Sequence, residues 1–179
     1  LRTTPFGSLL MFAVIAFGAL ATLYSLGYMP DRDDMNRYYA HLLWAVSAAA
    51  TALVAENIIV LVAAWDIVTL MLYLLVEMGR KDAPAVSAKT FGVAAFSDCA
   101  LLFGVAILWA KTGGFLLSEY NVVIDRPWLY VAYLLMMTGA ITKAGAIPFH
   151  SWLPPAAETA PLPAVALLPA AIDKALGIY

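Results

Sequence analysis

The stretch "NIIVLVAAWDIVTLMLYLLV", residues 57 to 76, has twenty residues and a single charged side chain, Asp66. A bilayer core about 30 Å thick is crossed by about 20 residues of α-helix, at a rise of about 1.5 Å per residue. The strands of a membrane barrel instead show apolar and polar positions that alternate over about ten residues, and this stretch has no such alternation. The sequence therefore predicts a transmembrane helix here.

The composition of the whole chain supports a membrane location. Hydrophobic residues make up 64% of the 179 residues and charged residues 12%, with a mean hydropathy of +0.86. The surface of a soluble domain needs about a quarter of its residues charged. The net charge of −2 and the absence of basic runs exclude nucleic acid as a partner. The lone Cys99 permits neither an internal disulfide nor a zinc site of the usual spacing.

Six apolar segments of this kind follow one another along the chain. We predict an all-α, polytopic bundle of transmembrane helices that forms a single membrane domain over residues 1–179. We also expect the chain to be an internal fragment of a longer membrane protein. The six segments cover residues 5–29, 38–55, 57–76, 91–110, 127–147 and 161–179.

Two carboxylates lie inside these segments. Placing an Asp at the centre of a membrane helix costs roughly 2.5–3.5 kcal/mol, which surrounding aliphatic residues can offset. Such residues usually face the bundle interior or a water path, so Asp66 is a functional candidate. The alternative for Asp66 is a structural ion pair, for example with Lys89. Asp98 is either a functional group or a polar tie between the fourth helix and the third.

A lysine and a helix break occur together in "ITKAGAIPFHSWLPP", residues 141 to 155. Small residues around Lys143 let other helices or water approach closely. Pro148 removes a backbone donor and disfavours helix at the residue before it, which predicts a broken helix beside a polar pocket. The alternative is that Lys143 extends outward to the membrane interface. His150, two residues after Pro148, suits either a proton relay or an interfacial hydrogen bond.

The sixth segment carries Asp173 and Lys174 next to each other. On a helix these side chains point about 100° apart, so they serve different neighbours, and we expect at least one to face the interior. A buried lysine whose acidic partner approaches and withdraws can capture and release a proton. These residue types therefore indicate proton transfer without a bound redox group.

The stretch "TKAGAIPFHSWLPPAAETAPLPAVALLPAA", residues 142 to 171, resembles the antiporter-like subunits of respiratory complex I, membrane-bound hydrogenases and multisubunit sodium/proton antiporters. The stretches "ENIIVLVAAWDIVTLMLYLL" and "AKTFGVAAFSD" are similar to two further motifs of that family. On this resemblance the chain corresponds to the third to eighth transmembrane helices of the family, which is most of one half of its inverted-repeat core.

The resemblance implies a role for each candidate residue. Lys143 matches the central proton-carrying lysine on the broken helix, and Asp66 stands where the family has the glutamate that modulates it. Lys89 and Asp98 match positions on the adjacent helix, and His150 matches the motif after the break.

The chain also departs from the family pattern at two positions. Pro169 stands where the family often has a His or Lys that relays the proton, and Ala95 stands where an arginine is common. Lys174, five residues after Pro169, is the candidate substitute for the missing relay residue and would act through water. The end of the chain resembles the hydrogenase-type members.

From the resemblance we expect a proton-translocating, non-redox subunit of a redox-driven complex in the inner membrane of a bacterium or archaeon. Protons would pass through a buried Asp/Lys pair and internal water. We expect no cofactor in this chain, with any iron–sulfur, flavin or nickel–iron centre in partner membrane subunits. Two alternatives remain: a subunit that exchanges sodium for protons, and a purely structural membrane subunit whose buried charges only pair helices.

Overall fold

The computed structural model of the protein describes residues 3–29, 34–80, 82–120 and 126–179. These residues form helices and no β-strand, which confirms the all-α class. Two short 3₁₀ turns cover Leu117–Glu119 and His150–Trp152, and a π-helical segment, Leu168–Ile172, joins the last two helices. The α-helices are α1 (Pro5–Tyr28), α2 (Met35–Leu53), α3 (Ile58–Glu77), α4 (Ala83–Thr112), α5 (Pro127–Ala144), α6 (Leu153–Thr159), α7 (Leu162–Leu167) and α8 (Asp173–Ile178).

The helices present apolar side chains on the outside of the bundle. By length and composition, α1, α3 and α4 are able to cross a membrane, whereas α2 and α5 have 19 and 18 residues and a more polar composition. A bundle in water rarely exposes such large contiguous apolar surfaces, so these faces fit lipid or other membrane helices. The most exposed large side chains include Phe12, Leu20, Phe96, Phe103 and Leu134.

The helix α4 begins earlier than the sequence predicts. It starts at Ala83, whereas the apolar segment was expected to start at residue 91. Pro84 lies in the first turn, where a missing backbone N–H costs nothing and the fixed φ of proline favours helix. Ser87, Lys89 and Thr90, which precede residue 91, are therefore helical, and Lys89 is exposed.

The break after Lys143 also differs from the prediction. The fifth segment was expected to run to residue 147 and to end because of Pro148, but α5 ends at Ala144. Gly145 adopts a left-handed conformation with φ of 69°, which costs little for a residue without a Cβ. The N–H of Gly145 then donates to the carbonyl of Thr142, and the N–H of Ala146 donates to the carbonyl of Ile141. Both N–O distances are 3.0 Å. This is a Schellman motif, so the glycine ends the helix before the proline is reached.

The sixth segment is a helix with a π-helical interruption. The N–H of Asp173 donates to the carbonyl of Leu168, five residues earlier. Pro169 has no N–H to donate, and its own carbonyl accepts a hydrogen bond from Lys174 Nζ over 2.7 Å. The extra residue in this turn changes the direction in which the following side chains point.

Glycines bring α5 close to its two neighbours. A Cβ on Gly139 would lie 2.8 Å from Leu101 Cβ on α4. A Cβ on Gly177 would lie 2.7 Å from the carbonyl oxygen of Ala140 and 2.8 Å from the nitrogen of Ala144, so α8 lies directly against the end of α5. Asp173 is one turn before Gly177 and points to the same side. This packing brings α8 to the turn of α5 that carries Lys143.

Candidate functional site

Lys143 is buried inside the bundle, with 3% of its surface exposed. Its Nζ donates hydrogen bonds to the backbone carbonyl of Trp65, at a distance of 3.2 Å, and to the hydroxyl of Thr69. It also lies 5.3 Å from the centre of the Trp65 ring, within the range of a cation–π contact. The lysine is in the last turn of α5, where the helix dipole favours a positive charge. The alternative of an outward-extended Lys143 is therefore wrong.

Asp98 on α4 is linked to Lys143 through one hydroxyl group. One of its carboxylate oxygens accepts a hydrogen bond from Trp65 Nε1 at a distance of 2.8 Å. The other accepts a hydrogen bond from the Thr69 hydroxyl at a distance of 2.6 Å. A hydroxyl can donate one hydrogen bond while it accepts another. Thr69 does both, because it donates to Asp98 and accepts from Lys143. The alternative reading of Asp98 as a tie between α3 and α4 is thus confirmed, and the same contacts connect it to the lysine.

Among the described residues, Asp173 is the carboxylate nearest to Lys143. It is fully buried, and its Oδ1 lies 3.8 Å from Lys143 Nζ. Neither of its oxygens has a hydrogen-bond partner among the described residues. We call the group formed by Trp65, Thr69, Asp98, Lys143 and Asp173 the Lys143 pocket.

Asp66 does not belong to this pocket. It is partly buried, and within the described part of the chain it forms no ion pair with either Lys143 or Lys89. Its Oδ1 is buried without a hydrogen-bond partner there. The modulating role that the resemblance implies for Asp66 therefore stays a prediction without a direct contact to support it.

Asp66 instead lines an open groove between α3 and α4, which we call the α3–α4 groove. Its volume is about 270 Å³. Ala95, at the position where the family often has an arginine, is part of its wall, and a short side chain there leaves the groove open. Thr69 and Asp98 reach both the groove and the Lys143 pocket. The lining residues are Asp66, Thr69, Leu70, Phe91, Ala95, Asp98, Cys99 and Leu102.

Three other candidates lie away from Lys143. Lys89 and His150 are exposed, and the side chain of Lys174 is exposed and turned back to the carbonyl of Pro169. No ion pair or hydrogen bond joins any of them to the Lys143 pocket among the described residues. Their roles in proton relay stay predictions.

Sequence reasoning missed two members of the pocket, Trp65 and Thr69. Trp65 and Thr69 are four residues apart, so they share one face of α3, and this spacing was the available signal. For Asp173, the sequence predicts only that it or Lys174 faces the interior of the bundle. Its spacing of four from Gly177 indicates a carboxylate on the closely packed face of α8.

Residues 55–179 match the family described as "NADH:quinone oxidoreductase/Mrp antiporter, TM". The chain belongs to this family. The match confirms the resemblance drawn from the sequence motifs.

Individual relatives agree with the family assignment. The "Na(+)/H(+) antiporter subunit A1" of Staphylococcus aureus (strain JH9) is 28% identical over 179 residues, covering 97% of this chain and 22% of the relative. The chain therefore spans about a fifth of that protein's length. The prediction of a special likeness to hydrogenase-type members stays a prediction.

Two solved structures share the fold of this family member. The Mrp complex from Dietzia sp. DQ12-45-1b contains a chain with a TM-score of 0.91 and 27% identity, which covers 98% of this chain and 20% of that one. Respiratory complex I from Thermus thermophilus with bound aureothin gives a TM-score of 0.80 and 23% identity, covering 99% of this chain and 40% of that one. At 23% identity, the similarity to the complex I chain shows only that the two chains share a fold.

Proposed function

We propose that this chain is part of a proton-translocating, antiporter-like membrane subunit and that Lys143 carries the proton. The observation that supports this most is a buried lysine joined through a hydroxyl to one carboxylate, with a second carboxylate 3.8 Å away. An ionisable group at this depth is costly, and a lysine between two acids is an arrangement suited to passing a proton.

The geometry supports a transfer along the hydrogen bonds. The Lys143 ammonium gives one proton to the Thr69 oxygen, and Thr69 gives its own hydroxyl proton to Asp98. The products are a neutral amine, an unchanged hydroxyl and a carboxylic acid, so the charge of the group stays the same. When Asp173 is protonated during this step, no isolated ion is left behind, which avoids the cost of several kcal/mol for an unpaired charge in a membrane interior.

The test is substitution of Lys143 in the complete complex. We expect Lys143→Met to lower proton uptake by inverted vesicles at least about 100-fold, since proton transfer by a positioned group contributes about 10²–10⁴-fold. A pH-sensitive dye follows the uptake. Lys111→Met is the matched control, because this lysine is exposed at the end of α4. Normal uptake by the Lys143 variant would refute the proposal.

The same variant separates transport from a purely structural role. A lysine that only pairs helices would, when removed, lower the yield of assembled complex before it changed the transport rate. We expect the reverse for Lys143→Met: assembled complex on a native gel together with lost proton uptake per complex.

The coupled process has two candidates. Our sequence prediction is a redox-driven complex in the inner membrane of a bacterium or archaeon, with cofactors in partner membrane subunits. The likeness to a Na(+)/H(+) antiporter subunit over 97% of this chain favours sodium–proton exchange as the second candidate. Vesicles that move protons in response to a sodium gradient, without an electron donor, would favour exchange. Uptake that requires an electron donor and ignores sodium would favour the redox-driven complex.

A further inference from the structure

Asp173 is a fully buried carboxylate whose oxygens receive no hydrogen bond from the described residues. Burying an ionised carboxylate is expensive unless it is paired and hydrogen-bonded. An acid in this position is therefore either protonated or compensated by a nearby cation. Which of the two applies depends on the charged groups around it.

Among the residues that the structure describes, the charged groups that act on Asp173 are Lys143 on α5, Asp98 on α4 and Lys174 on its own helix. The side chain of Lys174 is exposed and donates to the carbonyl of Pro169. Asp98 is itself acidic and is occupied by Trp65 and Thr69. Lys143, at 3.8 Å, is the cation that faces Asp173 inside the bundle. The charge of Asp173 thus depends on that of Lys143.

We propose that Asp173 is a second proton-accepting residue, so that Lys143 exchanges a proton with Asp98 through Thr69 on one side and with Asp173 on the other. This inference rests on the proposed function. It adds an acceptor from the last helix, near the position where Pro169 replaces the relay residue of the family pattern. It also makes α8, through Asp173, a part of the proton path.

The transfer to Asp173 is a single proton movement. The N–H bond of the Lys143 ammonium breaks, an O–H bond forms on Asp173, and the ion pair becomes a neutral amine and a neutral acid. The distance of 3.8 Å is longer than a hydrogen bond of about 2.7–3.2 Å. The flexible lysine must therefore move toward α8, and this movement lengthens its contact with Thr69. The link from Lys143 through Thr69 to Asp98 therefore weakens as the contact between Lys143 and Asp173 forms.

Local structure directs Asp173 to this position. The π-helical segment immediately before it determines the direction of its side chain, and Gly177 one turn later allows α8 to touch the backbone of α5. The carboxylate and the lysine are therefore held near each other by backbone packing and do not depend on long flexible side chains alone.

The first experiment compares substitutions at Asp173 in the complete complex in vesicles. We expect Asp173→Asn to lower proton uptake at least about tenfold, since it cannot accept a proton. Asp173→Glu keeps the acid, so it should restore most of the uptake with a shifted pH profile. Asp82→Asn is the matched control, because Asp82 is exposed before α4 and its side chain makes no capping hydrogen bond. Wild-type uptake by an assembled Asp173→Asn complex would overturn the inference.

The second experiment detects the proton on Asp173 by infrared difference spectroscopy. Lys143→Met removes the compensating cation, so we expect a buried, protonated carboxylic acid whose C=O band shifts in frequency when Asp173→Glu is added. An unshifted band, or no band, would overturn the inference. If Asp173→Asn does not assemble, this measurement still tests whether Asp173 can hold a proton, which the inference requires.

The two hypotheses fail differently. Normal uptake by Lys143→Met would refute the proposed function itself. Lost uptake in Lys143→Met together with wild-type uptake and no pH shift in the Asp173 variants would refute only the role of Asp173.

Discussion

The Lys143 pocket and the α3–α4 groove both hold carboxylates within apolar helices, but these carboxylates differ in the hydrogen bonds that they receive. In the pocket, Asp98 receives two hydrogen bonds and Lys143 has three polar neighbours. In the groove, Asp66 is partly buried and one of its oxygens has no partner among the described residues. Thr69 and Asp98 form the wall that the two regions share. A proton that enters by the groove would meet Asp98 before it meets Lys143.

The comparison shows that a carboxylate on a neighbouring helix is not necessarily joined to a membrane lysine by hydrogen bonds. Asp66 and Asp98 are both carboxylates in neighbouring helices, yet Asp98 alone of the two is hydrogen-bonded into the pocket. The difference follows from helix faces, since Thr69 and Trp65 point to α4 and α5 while Asp66 points to the groove. Breaking the pocket should therefore have larger effects than altering the groove.

The largest effect is expected from Gly177→Val. A Cβ at this position would lie within 2.8 Å of two backbone atoms of α5, so a larger residue must push α8 away and separate Asp173 from Lys143. Overpacking of this kind typically costs about 1–3 kcal/mol in stability. We expect proton uptake to be lost and the thermal stability of the complex to fall.

The control for this change is Gly92→Val, because, apart from its chain neighbours and the nearby backbone of α4 itself, no described atom lies within 4 Å of a Cβ at Gly92. Equal loss of uptake from both substitutions would contradict the view that close contact between α8 and α5 is needed. Native-gel yield and dye-monitored uptake measure the two effects separately.

An intermediate effect is expected from Thr69→Val. Valine has nearly the shape of threonine but lacks the hydroxyl that joins Lys143 to Asp98. We expect proton uptake to fall about tenfold, equivalent to about 1.4 kcal/mol in the barrier, while the complex still assembles. Thr69→Ser should retain most of the uptake.

Thr112→Val provides the same chemical change at an exposed position at the end of α4. If Thr69→Val transported protons as fast as Thr112→Val, the hydroxyl would not be part of the path. The proton would then have to reach Asp98 by another route.

The smallest effect is expected from the groove. Cys99 is exposed in its wall and is the single cysteine of this chain, so a thiol reagent reports on it specifically once cysteines elsewhere in the complex are replaced. A positively charged adduct there should repel protons and favour ionised Asp66 and Asp98. We expect uptake to fall up to about fivefold, since partly exposed charge pairs are worth about 0.2–1 kcal/mol.

A negatively charged adduct of similar size is the natural comparison, and Cys99→Ser should abolish both effects. Equal inhibition by the two adducts would indicate a steric effect. No labelling by either water-soluble reagent would show that the groove is closed to water in the complex.

The helical class was predictable because it depends on quantities that can be counted along the chain. The apolar segments, their lengths and the rarity of charge were sufficient. Small residues beside a helix break indicated a buried Lys143 but left outward extension to the membrane interface as an alternative. The position of the break was less predictable. A proline is a strong signal, and it obscured the nearer signal of Gly145, whose left-handed conformation ends α5 three residues early.

The partners of Lys143 were not predictable in the same way. It contacts Trp65 and Thr69 across 78 and 74 residues of sequence. Helical periodicity tells which side of its own helix a residue occupies, but not which helix lies opposite. The π-helical segment before Asp173 adds a further change of direction that the sequence pattern does not show.

The sequence by itself determined that this chain is a bundle of membrane helices with a lysine beside an interruption, because lipid makes unpaired charges and broken helices costly wherever they occur. The tertiary structure decided that Lys143 lies between Asp173 and the Thr69–Asp98 pair, with Asp66 facing a separate groove. Which carboxylate lies beside the lysine depends on how closely helices approach and how they are rotated. Those are properties of the packing of α3, α4, α5 and α8 together.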